Sequence, residues 1–534
     1  MPRGLGNTIF NAVISVPILH RWINQFLLSK YADDGPLPGL YTTRRAGKTS
    51  IWEVLQKEHF ALVIPRMTNA EKRELPNINE VMDLFLRKGD DNASRVTLLL
   101  PLFAQHLTDA VFQSDDAYAT DAPHEIILNQ IYGNTAEDTG LLRTHKDGKL
   151  RSQLRKVNGN DAEFPDALLE KKGKSWVVKA QYAQLSYLQK EGKLDTLRKK
   201  YKGKEGDLCA TGLFQGNMTL GNFAITALLL REHNRLCDGI AEELARKGKP
   251  VSDEVIFRTA QQCNITAYMK VVIEDYINAF AGQKLFYLDT ETFFYEKKRW
   301  CRETPIPYHF NILYRIHCMM PDALKGHEKK GFDAMRANNG LVFEEGVGAI
   351  LQAASSQGAS KVELGNTHPD LIGADMAGVM KAREVLGSFN EHRRAQNMFR
   401  AGFGDFDARY RERLKALYKG DPDRVEYAVG ILAELPKSGL LEKLGLKDEP
   451  IIGQTLMNAI AKHAFRHILS NRFMTKEYLN RDVMTDFGWR NLKATSSVAD
   501  LVHRNMSGEM DHSAAQRLHI TFANVTVRKH RASL

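Results

Sequence analysis

The chain of 534 residues has an ordinary globular composition, with 43% hydrophobic and 26% charged residues, which excludes a disordered or fibrous protein. Its net charge is +10, but lysines and arginines are spread through both halves, which argues against a nucleic-acid-binding protein. No run of about 18–20 apolar residues predicts a membrane-spanning helix. We expect one large body with a short N-terminal arm.

Residues 1–33 are predicted to form this arm, because apolar residues recur at helical spacing along it. Pro17 is expected to kink the helix. Two interpretations remain open. The helix lies in a bilayer interface, with Trp22 and Arg21 near the headgroups, or it packs on the main body.

The rest of the chain is predicted to be mainly α-helical, with few short strands. Residues 34–58 are expected to be a linker, because residues 34–48 are rich in glycine, proline and basic residues, and the main body is expected to span 59–534. Helical periodicity predicts helices over 77–88, 96–113, 220–247, 252–282, 309–320, 375–389 and 454–469. A strand is predicted near 125–132, and the Asp147-Gly148 pair predicts a turn.

The cysteines argue against both a disulfide scaffold and a zinc site, since they are odd in number, widely spaced and free of CxxC pairs. They are Cys209, Cys237, Cys263, Cys301 and Cys318. No secretory cleavage site follows the first apolar stretch. We therefore expect a cytoplasmic protein, with attachment to a membrane surface through the arm as one alternative.

His317, in the segment HFNILYRIHCMMP, is one of 17 histidines. Taken alone, a histidine on an apolar helix is more often a buried structural residue than a metal ligand. Tyr314 lies three residues earlier, so a continuous helix would place both side chains on one face. A metal held by His317 would then have a phenol nearby, and both interpretations stay open at this point.

Five segments in chain order resemble one protein family: LPLFAQHLTDAVF, ALLLREHNRLCD, KVVIEDY, HFNILYRIHCMMPDAL and FNEHRR. They resemble the animal-type haem peroxidase and cyclooxygenase superfamily, which includes prostaglandin endoperoxide synthases and bacterial fatty-acid dioxygenases. The resemblance extends from about residue 74 to about residue 501. It implies a helical haem peroxidase fold and a haem-dependent fatty-acid dioxygenase that forms lipid hydroperoxides.

The resemblance also implies roles for particular residues. Haem b is expected between a distal helix, residues 96–113, and a proximal helix, residues 309–320, with His317 as the axial ligand of the iron. Tyr314 matches the tyrosine whose radical takes hydrogen from a bound long-chain fatty acid, after which molecular oxygen adds to the carbon radical. An acceptor for the second ring nitrogen of His317 is expected, although the sequence does not identify it.

Other matched residues are expected to have structural roles. Arg231, Glu232, His233 and Asn234 match a signature of a long core helix in which buried charges are paired. The segment from Asn390 to Arg393 matches a structural part of the proximal side.

The distal helix departs from the family pattern. Gln105 is retained and is expected beside the haem, but the histidine expected four residues later is Asp109. A carboxyl group of ordinary pKa near 4 is a poor substitute for that base, which puts peroxidase activity in doubt. His106 turning toward the haem, or Asp109 with a pKa raised by burial, would restore a proton acceptor.

The fatty-acid channel departs from the pattern as well. Ala464 stands where the mammalian enzymes have the serine that aspirin acetylates, and two channel tyrosines are expected to match Glu345 and Phe332. Simple hydroperoxide formation is therefore favoured over prostaglandin synthesis. The alternatives are a haem peroxidase with small donors, a haem-binding pseudoenzyme or sensor, and a basic membrane or nucleic-acid-binding protein without haem. The sequence leaves the oligomeric state open.

Overall fold

The computed structural model describes residues 12–33, 74–89, 93–112, 125–282, 284–291, 296, 298, 300, 301, 308–314, 316–436 and 450–523. The described part is mainly helical, as predicted. Its α-helices are α1 Pro17–Asp33, α2 Ile78–Phe85, α3 Leu99–Phe112, α4 Asn129–Tyr132, α5 Ala136–Leu142, α6 Lys193–Lys200, α7 Leu220–Arg246, α8 Asp253–Val271, α9 Asn278–Ala281, α10 Tyr308–Leu313, α11 Asn339–Glu345, α12 Val347–Ser355, α13 Ile372–Val385, α14 Phe389–Ala395, α15 Ala408–Leu417, α16 Tyr427–Ala433, α17 Gln454–Leu469, α18 Arg481–Lys493, α19 Val498–Asn505 and α20 His512–Gln516.

The strands are short and form small antiparallel sheets. They are β1 Ala93–Thr97, β2 Ser152–Val157, β3 Asn160–Pro165, β4 Leu169–Lys172, β5 Ser175–Val178 and β6 Gly358–Ser360. Strand β2 pairs with β3, β4 with β5, and β1 with the distant β6. Short 3₁₀ turns connect many of the helices, and one of them, His317–Met319, carries a predicted site residue.

Helices α7 and α8 form the centre of the molecule. Each begins at a side-chain cap, because the hydroxyls of Thr219 and Ser252 accept hydrogen bonds from the first-turn amides of Asn222 and Val255. Most residues of α7 are buried, and α8 packs along it. Helix α8 continues through a π-helical turn, Val272–Ile277, into α9. The predicted single helix over 252–282 is thus one helical run with an irregular turn, of a kind frequent at functional sites.

The signature residues of α7 have structural contacts, in line with expectation. The Arg231 guanidinium pairs with the fully buried Glu509 at 2.7 Å. Glu232 pairs with Arg504 at 2.7 Å. This pairing helps to hold the pKa of the buried Glu232 carboxyl at about 2, although burial alone would raise it. The His233 ring lies 2.8 Å from the Tyr132 hydroxyl.

Three local predictions are wrong. Residues 125–132 contain no strand, and 129–132 form helix α4; the distal helix begins at Leu99 because β1 precedes it. The proximal helix ends at Leu313, and His317 begins a separate 3₁₀ turn, so Tyr314 and His317 do not share a helix face. The β2–β3 hairpin was not predicted, although its turn is an Asn158-Gly159 pair, in which both residues have positive φ.

The arm packs on the body. Helix α1 contacts α17, and Asn24 on its buried face donates a hydrogen bond to the Tyr287 carbonyl at 2.9 Å. Arg21 pairs with Asp289 at 3.1 Å, so it is held by the body and not free for lipid headgroups. The helical backbone is interrupted directly before Pro17, where α1 begins, which agrees with the predicted kink. The proposed linker, 34–58, lies outside the described residues.

Candidate active site

The proximal side is built around His317. Its Nδ1 lies 2.6 Å from Oδ1 of Asp375, a residue of α13 that is 2% exposed. The hydroxyl of Thr367 donates a hydrogen bond of 2.8 Å to the other carboxylate oxygen. The His317 side chain is 30% exposed, and no described residue forms a hydrogen bond with its Nε2. The ring is therefore fixed through one nitrogen while the other faces open space.

Tyr314 lies at the end of α10, three residues before His317, where it packs against Phe310 with ring centroids 5.1 Å apart. Burial raises the pKa of its phenol well above the usual value, and a contact with the Tyr276 hydroxyl opposes part of the rise. Tyr276 comes from the π-helical turn after α8. The Tyr314 phenol therefore stays protonated at physiological pH.

Tyr314 lines a narrow, mostly apolar cavity. The other lining residues are Leu107, Thr108, Val111, Ile126, Val272, Phe310, Ala464, His467 and Ile468. The space that a water-sized molecule can occupy is about 30 Å³, so the cavity holds about one water and its walls must part for an acyl chain. The distal helix α3 and the helix of Ala464, α17, thus meet at Tyr314.

Two further residues expected along the channel, Glu345 and Phe332, do not line this cavity. Glu345 pairs with His327 at 3.1 Å at the end of α11. The Phe332 ring stacks on His368 with centroids 4.4 Å apart.

The polar residues of the distal helix are held by the start of α7. The cap residue Thr219 donates a hydrogen bond from its hydroxyl to Oε1 of Gln105 at 3.2 Å. Asn222 donates from Nδ2 to Oδ2 of Asp109 at 2.6 Å. Between them, a Cβ on Gly221 would lie 2.8 Å from Leu102, so only glycine allows the two helices to approach this closely.

Asp109 has an unusual protonation equilibrium. Burial raises the pKa of its carboxyl to about 7, although the hydrogen bond from Asn222 lowers it. The carboxyl is partly exposed at this surface of α3. Near neutral pH it therefore exists in both charge states, as a group that accepts and returns a proton must.

The structure places His106 away from Asp109. Its ring is fully buried, and Nδ1 lies 3.1 Å from the Tyr268 hydroxyl of α8. Burial lowers the pKa of His106 to about 3, so the ring is neutral. Gln130 donates to the His106 carbonyl and further fixes this part of α3. These contacts favour a structural residue over the proton acceptor that the sequence suggested.

Four contributors to the site were not identified from the sequence: Asp375, Tyr276, Asn222 and His467. Asp375 is separated from His317 by 58 residues, and Asn222 from Asp109 by 113. No spacing rule connects such distant positions. Tyr276 lies in the quoted segment KVVIEDY and could have been examined as a neighbour of Tyr314.

The residues present fit a haem. One imidazole has a free Nε2 and a carboxylate partner on Nδ1, which is the usual arrangement of a metal-binding histidine. Gln105 and Asp109, two partly exposed polar residues of α3, are available for contacts on the distal side. Among the described residues, no group of three or more histidine, cysteine or acidic side chains is arranged to bind a metal ion directly.

Comparison with known sequences places this geometry in context. The animal haem peroxidase family model matches residues 119–517. Prostaglandin G/H synthase 2 of Bos taurus is 25% identical over 525 residues, covering 94% of this chain and 79% of the relative. The synthase 2 of Gallus gallus is 27% identical over 452 residues, covering 82% of this chain and 68% of the relative.

Solved structures share the fold. The fatty acid α-dioxygenase of Oryza sativa superposes with a TM-score of 0.67 at 16% identity, covering 95% of this chain and 93% of that chain. A variant of the rice enzyme with palmitic acid has a TM-score of 0.66 at 16% identity, covering 98% and 97%. Peroxidase A of Dictyostelium discoideum has a TM-score of 0.63 at 16% identity, covering 88% and 96%.

Proposed function

Because the chain belongs to the animal haem peroxidase family and is therefore an oxidoreductase, we propose that it is a haem-dependent fatty-acid dioxygenase that forms lipid hydroperoxides. The observation that carries this proposal is Tyr314, an oxidisable phenol that lines an apolar cavity three residues from a histidine with a free Nε2. In this proposal His317 binds the iron of haem b through that nitrogen.

A haem held by His317, if oxidised by a peroxide, would supply the oxidising equivalent for the loss of an electron and a proton from Tyr314. The tyrosyl radical takes a hydrogen atom from a fatty acid in the cavity, and molecular oxygen adds to the carbon radical. The resulting peroxyl radical takes the hydrogen atom back from Tyr314. The net reaction joins one fatty acid and one oxygen molecule into a lipid hydroperoxide, and the tyrosyl radical is regenerated for the next turnover.

On the distal side, Asp109 acts as the proton acceptor in place of the histidine that the family pattern has at this position. With a pKa of about 7, its carboxylate can accept the proton of an incoming peroxide and return it to the leaving oxygen. Thr219 orients the Gln105 amide beside it.

The substrate class is supported by the cavity and by the relatives. The lining side chains Leu107, Val111 and Ile468 suit an acyl chain. His467 adds one buried polar side chain to this wall. A related fold binds palmitic acid in the rice enzyme, and the sequence relatives are prostaglandin synthases.

Helix α1 supports a further part of the proposal, docking on a lipid bilayer. Ile18, Trp22 and Phe26 form a stripe along its outer face and are 77%, 73% and 59% exposed. The opposite face packs on α17, which lines the cavity, so α1 would lie between the bilayer and a helix of the cavity wall. In the described residues no helix is long and apolar enough to cross a membrane.

Liposome flotation tests this docking. The triple variant Ile18→Ser, Trp22→Ser, Phe26→Ser should lose most of its association with anionic vesicles and keep its haem content. The matched control is Phe399→Ser, which removes an equally apolar side chain, 94% exposed, from a different surface. Equal flotation of the triple variant and the parent would contradict the proposal.

A haem peroxidase with small donors is the second candidate, favoured by the fold shared with a peroxidase. Product analysis separates the two. The full chain, reconstituted with haem, is incubated with palmitate, oleate or linoleate under oxygen, and products are identified by mass spectrometry. Lipid hydroperoxides that require both haem and oxygen support the dioxygenase. Peroxide-dependent oxidation of guaiacol without any lipid product would support the peroxidase.

A further inference from the structure

Tyr268 of α8 and His106 of α3 form a buried hydrogen-bonded pair. The Tyr268 hydroxyl lies 3.1 Å from Nδ1 of His106, and the two residues are 1% and 0% exposed. The side-chain amide nitrogen of Gln130 donates to the His106 carbonyl and lies 3.4 Å from the same ring nitrogen. Because that amide nitrogen can only donate, Nδ1 is an acceptor, and the Tyr268 hydroxyl donates to it as well.

A continuous series of aromatic rings joins this pair to Tyr314. The Tyr314 phenol contacts the Tyr276 hydroxyl. The Phe103 ring lies between Tyr276 and Tyr268, with centroid distances of 5.5 Å and 5.3 Å. These three residues are at most 1% exposed, so the series is shielded from water. An electron can therefore pass between Tyr268 and Tyr314 inside the protein.

The imidazole of His106 gives the Tyr268 phenol a nearby base. A phenol that loses an electron becomes a strong acid, so the oxidised state is held best where a base adjoins the hydroxyl. Burial lowers the pKa of His106 to about 3, but an oxidised phenol is far more acidic than an imidazolium. Among the described residues, Nε2 of His106 has no hydrogen-bond partner, so a proton taken up at Nδ1 stays at this ring. The low pKa of His106 then favours return of the proton when the electron returns.

We propose that Tyr268 is a second redox-active tyrosine, which takes over the oxidising equivalent of Tyr314 when no fatty acid occupies the cavity. Tyr268 gives up an electron, its O–H bond breaks, and the proton forms an N–H bond at Nδ1 of His106. The electron passes along the aromatic series, and Tyr314 takes it up with the proton that it had released. The first oxidant is a peroxide acting through the haem, so the inference rests on the proposed function. This proton is distinct from that of the peroxide, which Asp109 accepts.

A second buried tyrosine–histidine pair provides a matched control. The Tyr132 hydroxyl lies 2.8 Å from Nδ1 of His233, and both residues are at most 1% exposed. The rings in contact with Tyr132 are those of His233 and Phe257, and neither belongs to the aromatic series. Tyr132 therefore has the same kind of hydrogen bond outside the electron path.

Freeze-quench EPR after addition of hydrogen peroxide tests the inference in the full chain, reconstituted with haem and free of fatty acid. Tyr314→Phe keeps a ring at that position and should still give a tyrosyl signal. Combining it with Tyr268→Phe should reduce the signal about fivefold or more, since phenylalanine lacks the oxidisable hydroxyl. Combining it with Tyr132→Phe should leave the signal unchanged. Exchange into D2O should narrow the signal of Tyr314→Phe, because one exchangeable hydrogen lies between the Tyr268 oxygen and Nδ1 of His106.

His106→Leu in the Tyr314→Phe background is a second variant. It keeps the Tyr268 hydroxyl, removes the proton acceptor, and should also reduce the signal. A signal of equal size in Tyr314→Phe with and without Tyr268→Phe would overturn the inference and leave the haem site intact. By contrast, a parent protein that binds haem and consumes peroxide without any tyrosyl signal would overturn the radical mechanism of the proposed function itself. The two failures are thus distinguishable.

Discussion

The proximal and distal sides of the site differ in how they relate to the family pattern. On the proximal side His317 and Tyr314 follow the pattern, and a buried carboxylate fixes the imidazole at 2.6 Å. On the distal side Gln105 follows it, but Asp109 replaces the expected base. The structure changes the meaning of that replacement, since burial raises the Asp109 pKa to about 7. A substitution that removes a residue type therefore need not remove the proton-transfer function.

Removal of the proximal ligand should have the largest effect. His317→Ala is expected to lose most of its haem, because His317 combines a carboxylate partner on Nδ1 with an Nε2 that no described residue binds. The Soret band after gel filtration, normalised to protein, measures this loss. His327→Ala is the control, since His327 pairs with Glu345 away from the cavity. A Soret band of unchanged height in His317→Ala would contradict the proximal assignment.

The next prediction separates the radical site from haem binding. Tyr314→Phe should keep its haem and any peroxide consumption but lose at least 100-fold in fatty-acid oxygenation, because phenylalanine keeps the packing and lacks the oxidisable hydroxyl. Oxygen uptake with linoleate measures the loss. Tyr410→Phe, a partly buried tyrosine outside the cavity, is the control. Oxygenation at the parent rate in Tyr314→Phe would exclude the tyrosyl-radical mechanism.

On the distal side a gain is expected. Asp109→His introduces an imidazole at the position of the family's base, and peroxidase turnover should rise about tenfold, which is below the roughly 10²–10⁴-fold that a well-placed general base contributes. Stopped-flow consumption of hydrogen peroxide measures it. Asp109→Asn, which cannot accept a proton, should fall below the parent. If Asp109→Asn consumes hydrogen peroxide at the parent rate, the distal side plays no part in peroxide cleavage.

The sequence predicted parts of the fold and site unequally, for physical reasons. Helix α17 was predicted with its observed bounds because apolar periodicity and length determine it locally. The proximal segment was predicted as one helix, yet the helix ends at Leu313. The side chain of His317, beyond this end, contacts Asp375 on another helix. His317 and Tyr314 were identified by family resemblance, whereas Asp375 and Asn222 depend on tertiary contacts that no local pattern encodes. The Asp109 pKa likewise depends on burial, which a motif does not report.

The smallest expected effect is a shift in pH dependence, and it tests the distal side most directly. If the ionised Asp109 accepts the peroxide proton, the rate rises with pH as the carboxyl loses its proton, with a midpoint near 7. Asn222 donates a hydrogen bond of 2.6 Å to this carboxyl and lowers its pKa. Asn222→Leu, of similar volume, removes the donor, destabilises the charged form and should move the midpoint up by about one pH unit, equivalent to 1.36 kcal/mol. Thr219→Val, which removes the hydroxyl bonded to Gln105 on the same helix surface, should leave the midpoint in place. Rates of hydrogen peroxide consumption from pH 5.5 to pH 9 give the three midpoints. A midpoint in Asn222→Leu equal to that of the parent would mean that another group titrates, and Asp109 would then be a structural partner of Asn222.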